Sequence, residues 1–538
     1  EPLISIVVPV YRTPEAFLRE MVESVLGQTY ASLELCLADG SGDDDHTERI
    51  LKAYAEKDPR VRYEKLPENL GIAGNTNAAL DLASGDYVAL LDHDDFLEKH
   101  ALFEIVRFLQ NHRDADMLYT DEDKVTFDSK TYFHPHYKPD FSLDLLRSNN
   151  YICHFLVVGK KLLEKAGRYR ESFDGAQDYD FILRCSELAG EIGHIPQVLY
   201  HWRCHQDSTA SNPQSKLYAF AAGSRAIMEH YHRMGIEAEK VEKGVDYGIY
   251  HTTFKIKDDP LVSVIIPNKD HRQDLDLCIR SMITRGTYKN LEFVVIENNS
   301  TDPETFAYYE AIQQEFPQVR VVTWTREFNY SAINNFGVQA AKGQYLLFLN
   351  NDTELIAENF VEEMLGFCQR EDVGAVGARL LYQDDTIQHA GIGFGIGGVA
   401  GHLHKYFPAA SDGYMGRLNY VQDVYGDTAA CLLIRREIYD EMNGLDESYA
   451  VAFNDVDFCV RVREAGYTNV FTPFAQLYHY ESKSRGTEDN PEKQKRFQGE
   501  VLRFQARWGD LLAAGDPCTN PNFDIQREDF TLKILPLE

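Results

Sequence analysis

Three carboxylates fall within four residues at Asp92-His93-Asp94-Asp95, directly after the apolar run Tyr87–Leu91. Acids packed that closely at the end of a buried run repel one another, and a cation among them removes the penalty. Hard oxygen donors suit Mg2+ or Mn2+, which keep coordination sites open for water and phosphate oxygens. The same position recurs later as Leu349-Asn350-Asn351-Asp352, where one carboxylate stands in place of three and Asn offers only a carbonyl oxygen. The competing structural reading is a helix N-cap at Asp95 and at Asp352-Thr353.

Further candidates come in pairs. Asp39 and Glu297 each close an apolar run and each lie 55 residues before Asp94 or Asp352. Either can accept a hydrogen bond from a nucleotide base or ribose, and Asp39-Gly40-Ser41-Gly42 also fits a turn. Gln177-Asp178-Tyr179-Asp180 with Arg184 matches Asn454-Asp455-Val456-Asp457 with Arg461. Asp180–Arg184 and Asp457–Arg461 have i,i+4 spacing for helical ion pairs, which leaves Asp178 and Asp455 at the helix starts to take a proton. His201 follows Asp178 by 23 residues and His479 follows Asp455 by 24, and a neutral imidazole can complete a metal shell. His205, His389, His402 and His404 have no such pairing.

The pairs arise because one module occurs twice, offset by 258 residues: Ile4-Ser5-Ile6-Val7-Val8-Pro9 aligns with Val262-Ser263-Val264-Ile265-Ile266-Pro267, Leu33-Glu34 with Leu291-Glu292, and Gly85-Asp86-Tyr87 with Gly343-Gln344-Tyr345. Within each copy, short apolar runs unbroken by polar alternation read as strands buried on both faces. They open each copy as Ile4–Val8 and Val262–Ile266 and recur as Leu33–Ala38 and Leu291–Ile296; Val61–Lys65 and Tyr87–Leu91, with Val319–Thr323 and Tyr345–Leu349, are read as the third and fourth strands. Helical stretches lie between them, so the expected fold is α/β: two Rossmann-like domains in tandem, each a mostly parallel, doubly wound sheet. Ligands on such sheets bind at the carboxyl ends of the strands, where the acids collect. The expected boundaries are a first domain over 1–225, a helical and extended linker over 226–260, a second domain over 261–515 and an irregular tail over 516–538. The glycine-rich stretch Gly391–Gly416 is expected as a flexible loop on the acceptor side.

With 44% hydrophobic residues the chain has ample core, and a net charge of −31 argues against nucleic-acid binding and against adhesion to an anionic membrane. There is no run of about 18 apolar residues for a membrane span, and no secretory signal is read at residue 1. Nine cysteines without C-x-x-C spacing suggest reduced thiols in the cytoplasm, not structural zinc. No G-x-G-x-x-G follows a first strand and no G-x-x-x-x-G-K-S/T occurs, which disfavours a nicotinamide or P-loop site.

As a set the motifs resemble the inverting GT-A glycosyltransferases of family 2. The residues that carry the resemblance are Val8-Pro9-Val10-Tyr11, Asp39-Gly40-Ser41, Asn69-x-Gly71 leading to Asn77, Asp92-His93-Asp94-Asp95, Gln177-Asp178 and His201-Trp202-Arg203. The second copy shows Ile266-Pro267-Asn268, Glu297-Asn298-Asn299, Asn350-Asn351-Asp352, Asn454-Asp455-Val456-Asp457 and His479. The tandem arrangement looks like bacterial enzymes that build rhamnose-rich or related surface polysaccharides. The resemblance implies that Pro9, Tyr11, Asp39, Asn77 and Asp92, with Pro267, Glu297, Asn335 and Asn350, bind a nucleotide-sugar donor. It implies a divalent cation, Mn2+ or Mg2+, at Asp92, Asp94 and His201 and at Asp352 and His479. Asp178 and Asp455 match the catalytic base. The chain departs from the family pattern at Gln177 and Asn454, where an acidic neighbour is usual, at Ala38, and at Asn350.

The implied activity is a bifunctional transfer of sugars, rhamnose from a deoxythymidine diphosphate donor among the options, to a glycan acceptor that is free or lipid-linked. The enzyme would be cytoplasmic, with peripheral association at the inner membrane face allowed. A chain with one catalytic copy and one glycan-binding or length-setting copy is the alternative. A glycosidase needs two carboxyls flanking a scissile bond, and a nucleotidyltransferase needs a basic glycine-rich loop after the first strand, where only Arg12 and Lys269 stand.

Overall fold

A computed structural model describes residues 1–204, 213–481 and 490–534; His205 lies outside them. The chain divides into two compact units, residues 1–142 with 146–252, and residues 143–145 with 253–538.

The first unit's strands are β1 (Ile4–Val10), β2 (Leu33–Asp39), β3 (Val61–Lys65), β4 (Tyr87–Leu90), β5 (Phe96–Leu97), β6 (Ala115–Val125), β7 (Tyr132–His136), β8 (Leu156–Gly159) and β9 (Glu191–Arg203). They form one sheet in the order β3-β2-β1-β4-β8-β6-β9-β5, with β7 beside β6. These strands pair in parallel, Ile4 opposite Leu33 and Tyr87, Leu35 opposite Val61; β1 and β2 are buried on both faces as inner parallel strands are, and β3 at the sheet edge buries only Val61. Beyond β4 the sheet is mixed, with β8 antiparallel to β4 and β6, and β9 parallel to β6. Helices Glu15–Leu26, Asp45–Lys57 and Gly71–Asp81 are the crossovers. Phe17, Leu18, Met21, Val22 and Val25 on the first of them are buried against the sheet.

The chain continues through helix Pro213–Arg233 and a two-stranded ribbon, β10 (Ala238–Lys243) and β11 (Tyr250–Phe254). Residues 226–252, expected as part of a linker, pack within the first unit. Ala226, Ile227 and Tyr231 are buried, and His230 Nδ1 lies 2.7 Å from Glu187.

The second unit repeats the plan with β12 (Val262–Asn268), β13 (Leu291–Asn298), β14 (Val319–Trp324), β15 (Tyr345–Leu349), β16 (Thr353–Leu355), β17 (Val373–Leu381), β18 (Ile387–His389), β19 (Ile392–Phe394), β20 (Ala400–His402), β21 (Gln422–Val424), β22 (Cys431–Arg435) and β23 (Thr468–His479). The order β14-β13-β12-β15-β22-β17-β23-β16 matches the first sheet. The Gly391–Gly416 stretch differs from the expected flexible loop. β19 and β20 form an antiparallel ribbon, and Ile392 and Phe394 are buried in an aromatic cluster with Tyr425 and Phe504. The segment after Asp516 is irregular yet anchored, since Phe523 and Phe530 are buried. All nine cysteines are free thiols.

Candidate functional site

In both units the chain leaves the parallel strands at one edge, and the acids stand there. The turn after β4 is built from its own residues. Asp95 is buried and accepts hydrogen bonds from the Tyr200 hydroxyl at 2.5 Å and the Arg203 backbone N–H at 2.7 Å, while Arg203 Nε donates to the Asp94 carbonyl at 2.7 Å. Strands β5 and β16 follow Asp95 and Asp352 directly, so the helix N-cap reading falls. The position of Arg203, in the His201-Trp202-Arg203 motif, is accounted for: its side chain pins the acidic turn.

Asp92 remains half exposed, with Oδ2 at 4.0 Å from His154 Nε2. Asp92, Asp95 and His154 each offer a ligand atom within 4.8 Å of the others. Burial, reinforced by the charges of Asp94 and Asp92, pushes the Asp95 carboxyl well above its usual range, so a cation here would relieve real repulsion. The donor set fits a hard divalent ion.

His201 was expected in this shell and is not. Its Nδ1 lies 2.7 Å from Asp123 and its Nε2 3.3 Å from Glu98, so both ring nitrogens are engaged by carboxylates. His154, which the sequence did not single out, stands by the acids instead, its ring stacked on Tyr200 at 4.6 Å. The repeat could not have revealed it. Val157 pairs with Ala89 and Leu433 with Leu347, the residue 258 positions on, so the counterpart of His154 is Ala430.

Asp178 opens helix Gln177–Leu188 and accepts from Asn150 Nδ2 at 3.0 Å. The residue is partly exposed. Burial raises its carboxyl from the ordinary range, with Asp92 adding to the rise while His154 and the Tyr179 N–H oppose it. Asp178 and the Asp92–His154 group therefore share one electrostatic neighbourhood. Asp180 has the pairing its spacing predicts, with Arg184 at 2.9 Å.

In the second unit a cleft of about 450 Å³ is lined by Pro267, Asn350, Asp352, His479, Asp455 and Thr428, among others. His479 Nε2 lies 3.2 Å from Asp352 Oδ1 and 3.1 Å from Asn350 Nδ2. Its Nδ1 is 2.6 Å from Gln388 Oε1, an acceptor that holds the ring proton on Nδ1. Its Nε2 thus faces the Asp352 carboxylate and the Asn350 amide, a group of donors in which an imidazole nitrogen can join oxygens around a cation. Asp455 accepts from Thr428 Oγ1 and the Ala429 N–H, both at 3.1 Å. Asp457 is buried against Arg461 at 2.9 Å.

Four expected nucleotide contacts are occupied locally. Asp39 accepts from the Ser41 N–H, the Tyr63 hydroxyl and Lys65 at 2.9, 2.9 and 3.1 Å. Glu297 accepts from the Ser300 N–H and hydroxyl and from Tyr309 at 2.6, 2.5 and 2.8 Å. Both acids thus fasten the turns after their strands. Asn77 brackets Tyr169 through its N–H and carbonyl, both at 2.9 Å, and Asn335 does the same to Leu445 at 3.0 and 2.9 Å. With both amide ends engaged, these asparagines hold the loop that leads toward the helix bearing Asp178 or Asp455. Pro9 is partly exposed near the end of β1, and Tyr11 just beyond it is 42% exposed, with the Arg12 guanidinium 5.5 Å from its ring centre.

Two doubly wound sheets, each carrying acids at its carboxyl edge, define a tandem α/β protein. The chain belongs to Glycosyl transferase family 2, whose profile matches residues 5–167 and 263–442. It is 45% identical over 534 residues to protein y4gI of Sinorhizobium fredii, covering 99% of this chain and 58% of that one. It is 37% identical over 536 residues to the O-antigen biosynthesis protein RfbC of Myxococcus xanthus, covering 99% and 41%. The chain thus spans about half the length of these curated relatives. Among solved structures, the mannosyltransferase PcManGT of Pyrobaculum calidifontis in complex with GDP-Man and Mn2+ overlaps 47% of this chain and 68% of its own, at 15% identity and a TM-score of 0.35.

Proposed function

We propose that the chain is a bifunctional inverting glycosyltransferase that moves sugars from nucleoside diphosphate donors to hydroxyls of a bacterial surface glycan. The observation that carries this is the second cleft, where Asp352, Asn350 and His479 share one cavity with Asp455. The grouping of Asp92, His154 and Asp178 in the first unit supports it. Similarity to an O-antigen biosynthesis protein supports the glycan as product, and a deoxythymidine diphosphate rhamnose donor is the candidate to try first. No helix among the described residues is long and apolar enough to cross a membrane, so a lipid-linked acceptor would be met at the membrane surface.

Asp92, Asp94 and Asp95 with His154, and Asp352 with His479 and Asn350, would hold a divalent cation. When bound, Mn2+ or Mg2+ supplies positive charge against the departing diphosphate. The chain's own groups do the rest. Pro9 and Tyr11, and Pro267 with Asn350, would line the nucleotide side, while Asp39 and Glu297 shape its edge by locking their turns. Asp178, steadied by Asn150, and Asp455, steadied by Thr428 and the Ala429 N–H, would take the proton from the acceptor hydroxyl as its oxygen attacks the anomeric carbon. With Asp178 or Asp455 as the one base of each site and Glu481, which also lines the second cleft, given no nucleophilic role, displacement is single and inverts the anomeric centre.

A nucleotide-sugar panel identifies the donors, and Asp178→Asn and Asp455→Asn in the full chain then test the assignment. Each substitution is expected to abolish a different transfer, by about 10²–10⁴-fold in kcat. If one variant loses both transfers and the other loses none, dual activity is wrong. That outcome would favour one catalytic copy with a glycan-binding partner. One feature points that way: among the described residues, the three-ligand acid and histidine group occurs in the first unit alone.

A further inference from the structure

Behind the second cleft runs a chain of three side chains with no assigned role. Asp427 Oδ1 lies 3.1 Å from His389 Nε2, and His389 Nδ1 lies 2.9 Å from His402 Nδ1. Asp427 and His389 are wholly buried, whereas His402 is partly open and lines the cleft beside Asp455 and Thr428. The fold makes room for this chain. A Cβ on Gly377 would sit 2.1 Å from the Asp427 carboxyl, so only glycine on β17 admits it. The neighbouring peptide, Thr428-Ala429, is the one that holds Asp455. His402 therefore opens into the same cleft as Asp455, which an acceptor hydroxyl has to enter to be deprotonated, with Glu481 and His479 among its charged neighbours.

We propose that His402 donates a hydrogen bond from Nε2 to an oxygen of the acceptor saccharide, with His389 and Asp427 fixing which ring nitrogen carries the proton. This rests on reading the cleft as a transfer site. Its direction follows from proton bookkeeping. Asp427 Oδ2 has no hydrogen-bond partner among the described residues, which a buried carboxylate would tolerate badly and a neutral carboxyl accepts more readily. Burial, helped by the Asp455 charge and opposed by the Gly377 N–H, drives the Asp427 carboxyl well above its usual range and so toward its neutral form, and burial lowers His389 and His402 to about 3, so both rings are neutral near pH 7. A neutral carboxyl donates to His389 Nε2, which leaves the His389 proton on Nδ1. That N–H donates to His402 Nδ1. The His402 proton is then on Nε2, and among the described residues no protein group accepts it.

Two measurements on the full chain test this. In histidine-nitrogen NMR, with the signal assigned through His402→Gln, the His402 ring is expected as the neutral Nε2–H tautomer; an Nδ1–H tautomer overturns the relay whatever the activity. In kinetics with the second unit's donor, His402→Ala is expected to raise the acceptor KM about tenfold. Donor KM and acceptor-independent donor hydrolysis should stay unchanged, and His402→Gln, which restores an N–H donor, should recover most of the loss. An unchanged acceptor KM, or equal losses in hydrolysis and transfer, overturns the proposal. A wild-type chain inert toward every donor sinks the transferase reading itself, and the acceptor role with it.

Discussion

His154 owes its place beside Asp92 to a buried ion pair remote from any motif. Lys138 is fully buried, with Nζ 3.1 Å from Glu122 Oε2 and 2.7 Å from the Ile152 carbonyl, and it also donates to the carbonyl of His154. The His154 N–H in turn donates to Glu122 at 3.2 Å. Burial works to raise Glu122, but Lys138, His136 and His154 outweigh it and bring its carboxyl from 4.5 down to about 2. A carboxyl lowered by folding contributes stability that is present above its unfolded value and lost as pH falls through its folded one. The window is therefore pH 4.5 down to about 2, and the shift corresponds to roughly 3 kcal/mol. Glu122→Gln should destabilise the first unit by about 3 kcal/mol at pH 7, partly by stranding Lys138. The deficit should shrink as pH approaches 2, where the wild-type carboxyl is neutral too. Denaturant titrations at pH 7 and pH 3 check this, and an equal deficit at both refutes it. The same variant should lose first-unit transfer, because the segment that carries His154 loses its anchor.

The elements most legible in the sequence were those that recur. The markers Ser5, Glu34 and Gly85, with their counterparts Ser263, Glu292 and Gly343, form one device in both units. The serine hydroxyl donates to the glutamate at 2.6 or 2.5 Å and accepts from the glycine N–H at 2.9 or 2.7 Å, locking the amino ends of three adjacent strands. A Cβ on Gly85 would lie 2.6 Å from the Leu3 carbonyl and Ser5 Oγ, and one on Gly343 equally close to Ser263 Oγ. Gly85→Ala or Gly343→Ala should cost about 1–3 kcal/mol, lowering Tm by about 5 °C in calorimetry. An unchanged Tm would mean that the clamp has slack the geometry does not show. Two-sided burial made β1, β2, β12 and β13 readable as apolar runs, whereas β3 and β14, partly open to solvent, were readable by their place in the repeat. The antiparallel half of each sheet was not readable. β5 has two residues and β18 three, too few for a period, and their pairing partners β9 and β17 are distant or bulged, so no local signal marks them. The same blindness left a helix cap standing as the competing reading at Asp95 and hid the ribbon that carries His402.

At the scale of the molecule, duplication has kept the architecture and let the charge at the two edges diverge. The first edge presents Asp92, Asp94 and Asp95 with His154; the second presents Asp352 with His479, Asn350 and Asn351. Coulomb attraction for a divalent ion scales with the facing charge, so the first site should bind Mn2+ more tightly. The net charge of −31 raises cation concentration near both, an effect that added monovalent salt weakens. Calorimetric titration of Mn2+ into the full chain should therefore resolve two classes of site. Asp92→Asn should remove the tighter class and Asp352→Asn the weaker, and the affinity of both should fall as NaCl rises. Because an ion that binds only the folded unit stabilises it by about 2.7 kcal/mol at a hundred times its Kd, Mn2+ should also raise the melting temperature of wild type more than that of either variant. A single class of site that survives Asp92→Asn would place the ion elsewhere and separate the acidic turn after β4 from metal binding altogether.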